Sequence, residues 1–487
     1  MTSEQVLRPE TGRVAAPDRR WLGLVVIAVA QLMVALDATI VNIALPSAQR
    51  SLGFDDADRP WVVTGYTVAF AGLLLLGGRI ADSIGRRRAF LVGLAGFAAA
   101  SALAGAAPSF GVLVAGRALQ GAFAALLAPA ALSLIAVTFT EPRERGKAFG
   151  VYGAVASSGA ATGLLLGGAL TEYLNWRWCL YVNVVIAVGA MVAGRAVLPR
   201  PPAGARQRID VASGLLATGS LAAIVFACSA AVTHGWSAGQ AVLPLAAGVA
   251  GLVAFAGWQA RSNFPLLPLQ IVMNRARAGA YLSVAAAVVG SFGTFLMLTY
   301  DFQVVLHYSP LRAGLAFLPL TVAVSISGFA IATRLLPHVA PRALIVPGLL
   351  VAAAGLLLLS RMQPSSSFGT VILPAEVLLG IGMGAVFTPA ITVATSAIEM
   401  RFAGVAAAVA NTAMQVGGSI GTAVLNTVAV SATRSYRSHH HTAPAVDALV
   451  HGYAAAVLSA SAVLAVAAVI ALAVVDTAAP SPEQARH

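Results

Sequence analysis

Four ionisable side chains stand inside long apolar stretches of this chain: Asp37, Arg117, Asp301 and Glu376. A charge at the centre of a bilayer costs about 2.5–3.5 kcal/mol even on the mildest scale, so such residues pair with one another or carry function. A carboxyl group there holds its proton tightly unless a cation offsets the lost water. It can then exchange protons in the physiological range, which makes it a candidate coupling site. Arginine does not release its proton in proteins, so Arg117 can only shift its neighbours, orient water or polarise a nearby group. The chemistry open to this set is proton uptake and release at Asp37, tuned by Arg117, with Asp301 or Glu376 attracting a lipophilic cation. Plainer readings stand beside it: an Asp37–Arg117 ion pair that only ties helices together, and two solvated carboxylates near an outer mouth. At a rise of 1.5 Å per residue, Asp37 and Glu376 should lie about 12 Å below the outer ends of their spans and Arg117 about 10 Å, with Asp301 shallower. Several of them could then share one central cavity.

Positioning such groups takes long apolar elements. The 487 residues are 59% hydrophobic and 10% charged, with mean hydropathy +0.84, against about 25% charged for a soluble domain. About 20 apolar residues cross a bilayer, and fourteen candidate stretches run from 21–45 to 453–475. Between the second and third lies Gly78-Arg-Ile-Ala-Asp-Ser-Ile-Gly-Arg-Arg-Arg88, too charged for hydrocarbon and therefore a short polar loop. Met1–Arg20 lacks the apolar core of a signal peptide, so the first span is expected to remain. Arg50, Arg59, Arg177, Arg312, Arg361, Arg434 and Arg437 fall on one side of the expected membrane, and Arg117 lies within a span. The remainder of the 30 Lys and Arg fall on the side of the two ends, which the positive-inside rule places in the cytoplasm.

Several function classes drop away. The net charge of +12 is dispersed over many loops, unlike the basic face of a nucleic-acid binder. Cys179 and Cys228 lie in or beside apolar spans and give no disulfide or metal signal. His439-His440-His441, in an expected outer loop near 430–452, has no other close ligand, so no metal site is expected. The chain contains no G-x-x-x-x-G-K-[ST] motif for ATP. No catalytic cluster suggests an enzyme.

Comparing the chain with itself shows its organisation. Arg79–Gly93 aligns without gaps against Arg334–Gly348, Gly150–Gly167 against Gly404–Gly421, and Ala128-Pro129-Ala130 against Thr388-Pro389-Ala390, at nearly constant offset. Internal repeats around a central site are the general plan of secondary transporters. The reading is an all-α membrane protein of two pseudo-symmetric six-helix bundles plus two inserted helices, fourteen transmembrane helices in all. Its parts are a tail at 1–20, a first bundle at 21–199, a linker and inserted pair at 200–262, a second bundle at 263–476 and a tail at 477–487. The repeat is unequal: Asp82 maps onto Pro337 and Gly85 onto Ala340, so one half alone keeps the charged loop.

The loop pattern G-x-[LI]-A-D-x-x-G-R-[RK] at Gly78–Arg87 resembles that between helices 2 and 3 of the major facilitator superfamily. Leu36-Asp-Ala-Thr-Ile-Val-Asn-Ile-Ala-Leu-Pro46 resembles the signature of its fourteen-span drug:H⁺ antiporters, as do Trp61 with Tyr66, Arg117-Ala-Leu-Gln-Gly121, Tyr308-Ser-Pro-Leu-Arg-Ala-Gly314 and Asn411-x-x-x-Gln415-Val-Gly-Gly418. Gly159, Gly163 and Gly167-Gly168 form a small-residue ladder for close helix packing, similar to the antiporter motif but with Leu164 in place of its proline. Asn183-Val-Val185 stands where that branch has Asn-x-Pro, and Ala407-Ala408 where it has Ser-Gly.

The resemblance implies alternating access about a central cavity, without cofactors, driven by the proton motive force. It implies proton coupling at Asp37 and Arg117, and a latch of Asp82, Gly85 and Arg86 that holds the outward-open state. Candidate substrate contacts are Asn42, Trp61, Tyr66, Gln120, Tyr300, Asp301, Glu376, Asn411 and Gln415. The expected function is proton-coupled export of amphipathic, cationic or antibiotic-like small molecules from a bacterial cytoplasmic membrane, by a monomer in contact with lipid, protons and substrate and with no nucleic acid. Two alternatives remain: an exporter dedicated to one self-made antibiotic or siderophore, and a non-transporting membrane scaffold or receptor.

Overall fold

The structure, a computed structural model, describes residues 19–198, 210–235, 237–262, 265–267, 272–336, 338–395 and 403–475. The expected linker at Arg200–Arg206 and nearly all of both tails lie outside the described residues. Every regular element among the described residues is helical, as hydrocarbon requires of a chain that must satisfy its own backbone. The first half comprises α1 (Arg19–Leu52), α2 (Arg59–Ile84), α3 (Arg86–Gly105), α4 (Phe110–Thr138), α5 (Pro142–Tyr173) and α6 (Trp178–Val197). The inserted pair is α7 (Val211–His234) and α8 (Gly239–Arg261). The second half comprises α9 (Arg275–Tyr300), α10 (Pro310–Ala316) continuing into α11 (Leu318–Ala330), α12 (Pro341–Leu359), α13 (Leu373–Thr395), α14 (Ala403–His439) and α15 (Ala445–Val474). Thirteen of these units are long and apolar enough to cross a membrane, or fourteen when α2, bent by 58° between Leu74 and Leu76, counts as one span.

Local chemistry sets the boundaries. Gly85 at φ 94° ends α2 and hands the chain directly to α3, a backbone conformation glycine adopts without steric cost. Ser309 accepts the Arg312 N–H at 3.4 Å ahead of Pro310, a capped start for α10. Asp210 caps α7, accepting from the Ser213 N–H at 3.1 Å and its hydroxyl at 2.5 Å. The Ser213 hydroxyl bond holds the Asp210 carboxyl below the ordinary aspartate range.

The two halves repeat one packing scheme. In the first, α1 packs on α5 and α6, α2 on α4, and α3 on α4 and α6. In the second, α9 packs on α14 and α15, α11 on α13, and α12 on α13 and α15. These are the same pairs carried over by the sequence repeat. The halves meet along two seams, α2 against α14 and α5 against α10. Helix α7 lies over the first seam: Gly214 and Thr218 sit against Leu76 and Gly72 of α2, while Thr427 of α14 donates to the Cys228 carbonyl at 3.2 Å.

Two lengths differ from expectation. Helix α1 runs on through Pro46 to Leu52, and α14 continues to His439, so the outer loop expected near 430–452 shrinks to the residues between His439 and Ala445. Both continuations carry polar residues that hydropathy reads as loop. Asp37 is consequently about 22 Å from the Leu52 end of α1 rather than about 12 Å from the end of its span.

Candidate functional site

Asp37 and Arg117 meet in the interior of the first half, with side chains 0% and 2% exposed. The Arg117 Nη1 donates to Asp37 Oδ2 at 2.6 Å and to Gln120 Oε1 at 2.8 Å, and its Nε donates to the Val62 carbonyl at 3.0 Å. Its guanidinium carbon lies 4.6 Å from the centre of the Tyr66 ring, a favourable cation–π placement. Asp37 Oδ1 accepts from Gln120 Nε2 at 3.0 Å and from Asn183 Nδ2 at 2.7 Å. Gln120 Nε2 also donates to Ser101 Oγ at 2.7 Å. Five helices therefore converge: α1 supplies Asp37, α2 Tyr66, α3 Ser101, α4 the i,i+3 pair Arg117 and Gln120, and α6 Asn183. Gly121 permits the close approach, because a side chain there would strike the Tyr66 carbonyl.

This geometry satisfies a carboxylate. Asp37 accepts three donors, one of them charged, and charge-assisted bonds of this kind are about twice as strong as neutral ones. Gln120, expected to face substrate, is instead consumed at both ends of its amide. Asn183 and Ser101 are not among the expected site residues. The available signal is a single polar side chain in an otherwise apolar run of α6 and of α3, fully buried in both cases.

The other candidates lie elsewhere. Asp301 and Glu376, 4% and 1% exposed, are buried in the second half. Neither is among the hydrogen-bond partners of Asp37, and neither sits solvated at an outer mouth. Both carboxyl oxygens of Glu376 are buried without a hydrogen bond. Tyr300 lies where α9 meets α1, at the end of the bundle away from the termini: its hydroxyl donates to Gln49 at 2.7 Å, and Arg59 lies 3.7 Å over its ring. Trp61 faces the inserted pair, 6.3 Å from Phe226 of α7. Asn42 is buried and donates to the Ala38 carbonyl of its own helix at 3.3 Å. Asn411 and Gln415 share a helical stripe with Ser419, whose hydroxyl meets Thr67 of α2 at 2.5 Å. Gly159, Gly163 and Gly167 lie against Ala35, Thr39 and Ile40 of α1. In the polar loop Asp82, exposed, pairs with the half-buried Arg86 at 3.6 Å, an arrangement worth about 0–1 kcal/mol.

Apart from the Thr67–Ser419 contact, these polar contacts between halves gather at one end of the bundle, away from the termini. Gln303 donates to the Ile43 carbonyl at 2.9 Å, Asn426 to the Asp56 carbonyl at 3.1 Å, and the Leu311 N–H to Glu172 at 3.0 Å. Gly314 brings α10 against the Leu164 carbonyl of α5. Toward the opposite end, Arg79 donates to the Pro265 carbonyl, in the connection after α8, at 2.8 Å.

Residues 27–422 match the family profile of the Major Facilitator Superfamily. The chain belongs to the major facilitator superfamily. It is 54% identical over 454 residues to a puromycin resistance protein of Streptomyces alboniger, covering 92% of this chain and 90% of that relative. It is 39% identical to a cephamycin export protein of Amycolatopsis lactamdurans (87% and 88% covered) and 33% identical to a multidrug efflux pump of Mycolicibacterium smegmatis (88% and 84%). The fold matches that of a bacterial homologue of the human lysosomal transporter Spinster in an inward-facing, unoccupied conformation. The TM-score is 0.66 at 15% identity, covering 95% of this chain and 98% of that one. In this facilitator the seams α2–α14 and α5–α10 are both joined at the end away from the termini.

Proposed function

We propose that this facilitator exports antibiotic-like amphipathic molecules from the cytoplasm in exchange for protons, with both termini cytoplasmic. The single observation that carries the reading is the buried Asp37–Arg117 pair, set in a chain similar to export and resistance proteins. Asp37 takes up the proton, Arg117 holds the carboxylate between turnovers, and the halves rock about the cavity between them. The conformation then has its outer gate shut. That agrees with a latch disengaged from the second half, since among the described residues Asp82 pairs with Arg86 alone.

A narrow substrate range has a specific observation in its favour. The relatives named for puromycin, cephamycin and tetracenomycin C are each tied by name to a single antibiotic. An exporter devoted to one such compound is the second reading. Proteoliposomes with an internal pH dye test both. Proton movement triggered by several amphiphiles and absent in Asp37→Asn supports broad antiport, and a response to one compound supports the dedicated exporter. Transport that ignores the proton gradient would defeat the coupling assignment.

A further inference from the structure

Asn183 carries one feature the mechanism above does not use. Its Nδ2 donates to Asp37 Oδ1 at 2.7 Å, while its own Oδ1 is buried with no hydrogen bond. Every group that hydrogen-bonds to the Asp37 carboxylate in this structure is a donor. A carboxylate accepts only, whereas a protonated carboxyl must also donate. The O–H formed on protonation therefore needs an acceptor that the present arrangement does not offer.

The neighbours can be taken in turn. Arg117 has no acceptor atom. Gln120 is pinned at both ends, its Oε1 by Arg117 at 2.8 Å and its Nε2 by Asp37 and Ser101. The Ser101 hydroxyl is beyond Gln120, on α3. The charged and titratable groups facing Asp37 are Arg117 on α4 and Tyr66 on α2. Helix α5 presents its glycine ladder to α1, and α9 with the turn that follows it reaches α1 nearer Leu52, through Tyr300 at Gln49 and Gln303 at Ile43. Of the three side chains hydrogen-bonded to Asp37, Asn183 alone carries an acceptor that is buried without a partner.

We infer that Asn183 is a two-position amide switch that reads the protonation of Asp37: Nδ2 faces the carboxylate, and a half-turn of the amide presents Oδ1 to the protonated acid. The torsion that turns an Asn amide is broad and roughly two-fold. One end of the amide is unmatched in either position, so the turn changes what faces Asp37 without adding an unmet group. Asn183 is thus a positioning residue for the proton step, and this role rests on Asp37 being the proton carrier.

The test pairs Asn183→Leu, of similar size and without hydrogen-bonding groups, with Asp37→Asn in lipid vesicles. Infrared difference spectra on acidification should show a protonated-carboxyl band that vanishes in Asp37→Asn and moves to higher wavenumber in Asn183→Leu, where the acid has lost its acceptor. Uphill, proton-driven export in Asn183→Leu should fall at least about tenfold with a displaced pH profile, while downhill substrate exchange stays within about twofold. A band that depends on Asp37 but is unmoved by Asn183→Leu overturns the switch and leaves the coupling reading standing. No Asp37-dependent band in the wild-type protein overturns the coupling reading itself. Equal loss of uphill and downhill transport would reduce Asn183 to a packing residue and reject the switch.

Discussion

Removing one charge of the Asp37–Arg117 pair should harm the protein more than removing both. Asp37→Asn leaves the Arg117 guanidinium 2% exposed with no counter-ion, and Arg117→Gln leaves the Asp37 carboxylate 0% exposed with only neutral donors. Breaking a buried pair from one side costs about 3–5 kcal/mol. In the double variant no buried charge remains. Asn183 and Gln120 still find an amide oxygen at position 37, and the loss reduces to unmade bonds such as that to the Val62 carbonyl, about 1–3 kcal/mol. Independent effects would sum to about 6–10 kcal/mol, so the double-mutant cycle should show a coupling of at least about 3 kcal/mol.

The assay can use the protein's own thiols. Cys179 and Cys228 are 0% and 4% exposed, so a thiol-reactive dye reports unfolding in detergent micelles. Extending the size scaling of melting shifts to a chain this long gives about 1–2 °C per kcal/mol. Each single variant should then melt about 3–10 °C below wild type and the double variant about 1–6 °C below it. A double variant that melts as low as the sum of the singles would refute the buried pair. All three variants should lose proton-driven export, which separates the stability of the site from its use.

Four further outcomes follow from the geometry. Tyr300→Phe removes the hydrogen bond to Gln49 but keeps the ring under Arg59; at about 0.5–1.5 kcal/mol it should raise the outward-open population about 2- to 13-fold, and an unchanged spin-label distance across the α1–α9 contact would exclude that role. Gly314→Ala should force α10 off the Leu164 carbonyl and open the same gate, whereas Gly163→Ala, which presses on α1 within one half, should lower the melting temperature without shifting the gate; overpacking costs about 1–3 kcal/mol in either place. Asp210→Ala should cost about 0.5–2 kcal/mol of capping and speed amide exchange in the first turn of α7. Because the folded Asp210 carboxyl lies below its ordinary value of 3.8, its contribution is fully present at neutral pH and fades only as pH drops through that range, so the protection of wild-type α7, taken against the free-chain exchange rate at each pH, should be flat from neutral to mildly acidic pH. Glu376→Gln should leave the melting temperature unchanged or raised, since neither carboxyl oxygen loses a hydrogen bond; a drop of several degrees would mean that Glu376 has a partner after all.

Much of the architecture is legible in the sequence because hydrocarbon leaves the backbone few choices. Apolar runs become helices, and three matched segments announce two related halves before any packing is known. Helix ends are less legible. Hydropathy marks where apolar residues stop, but α1 continues six residues beyond Pro46 and α14 carries Arg434 and Arg437 within its last turns. The pairing of Asp37 with Arg117 could be anticipated because two buried opposite charges have strong reason to meet. Asn183 and Ser101 could not be placed with them, because a neutral polar residue in an apolar run bears no mark of its partner. Trp61 shows the same limit: an aromatic residue at the mouth of α2 could face substrate or α7, and only packing decides.

The repeat also shows what the two halves do not share. Carrying α4 onto α13 through Pro129 and Pro389 sets Val377 opposite Arg117 and Gly380 opposite Gln120. The second half thus keeps the helix and discards the polar pair, with Glu376 beside the vacated position. Glu376 lies seven residues before Met383, whose sulfur accepts from Ser291 of α9 at 3.9 Å, so both point to the α9 side of α13. One half has a carboxylate whose charge and hydrogen bonds are met by its own residues. The other has a carboxyl that nothing among the described residues matches by hydrogen bond. A site balanced in this way keeps its charge buried until a proton takes the place of the ion pair. An unmatched carboxyl stays buried only while it is neutral, or while an incoming cation supplies the missing charge. On the proposed function this difference divides the labour: the first half handles the proton at Asp37, and the second meets the cargo at Glu376. Glu376→Gln should therefore weaken export of cationic compounds while sparing neutral ones, and equal loss of both would show that the second half discriminates by shape alone.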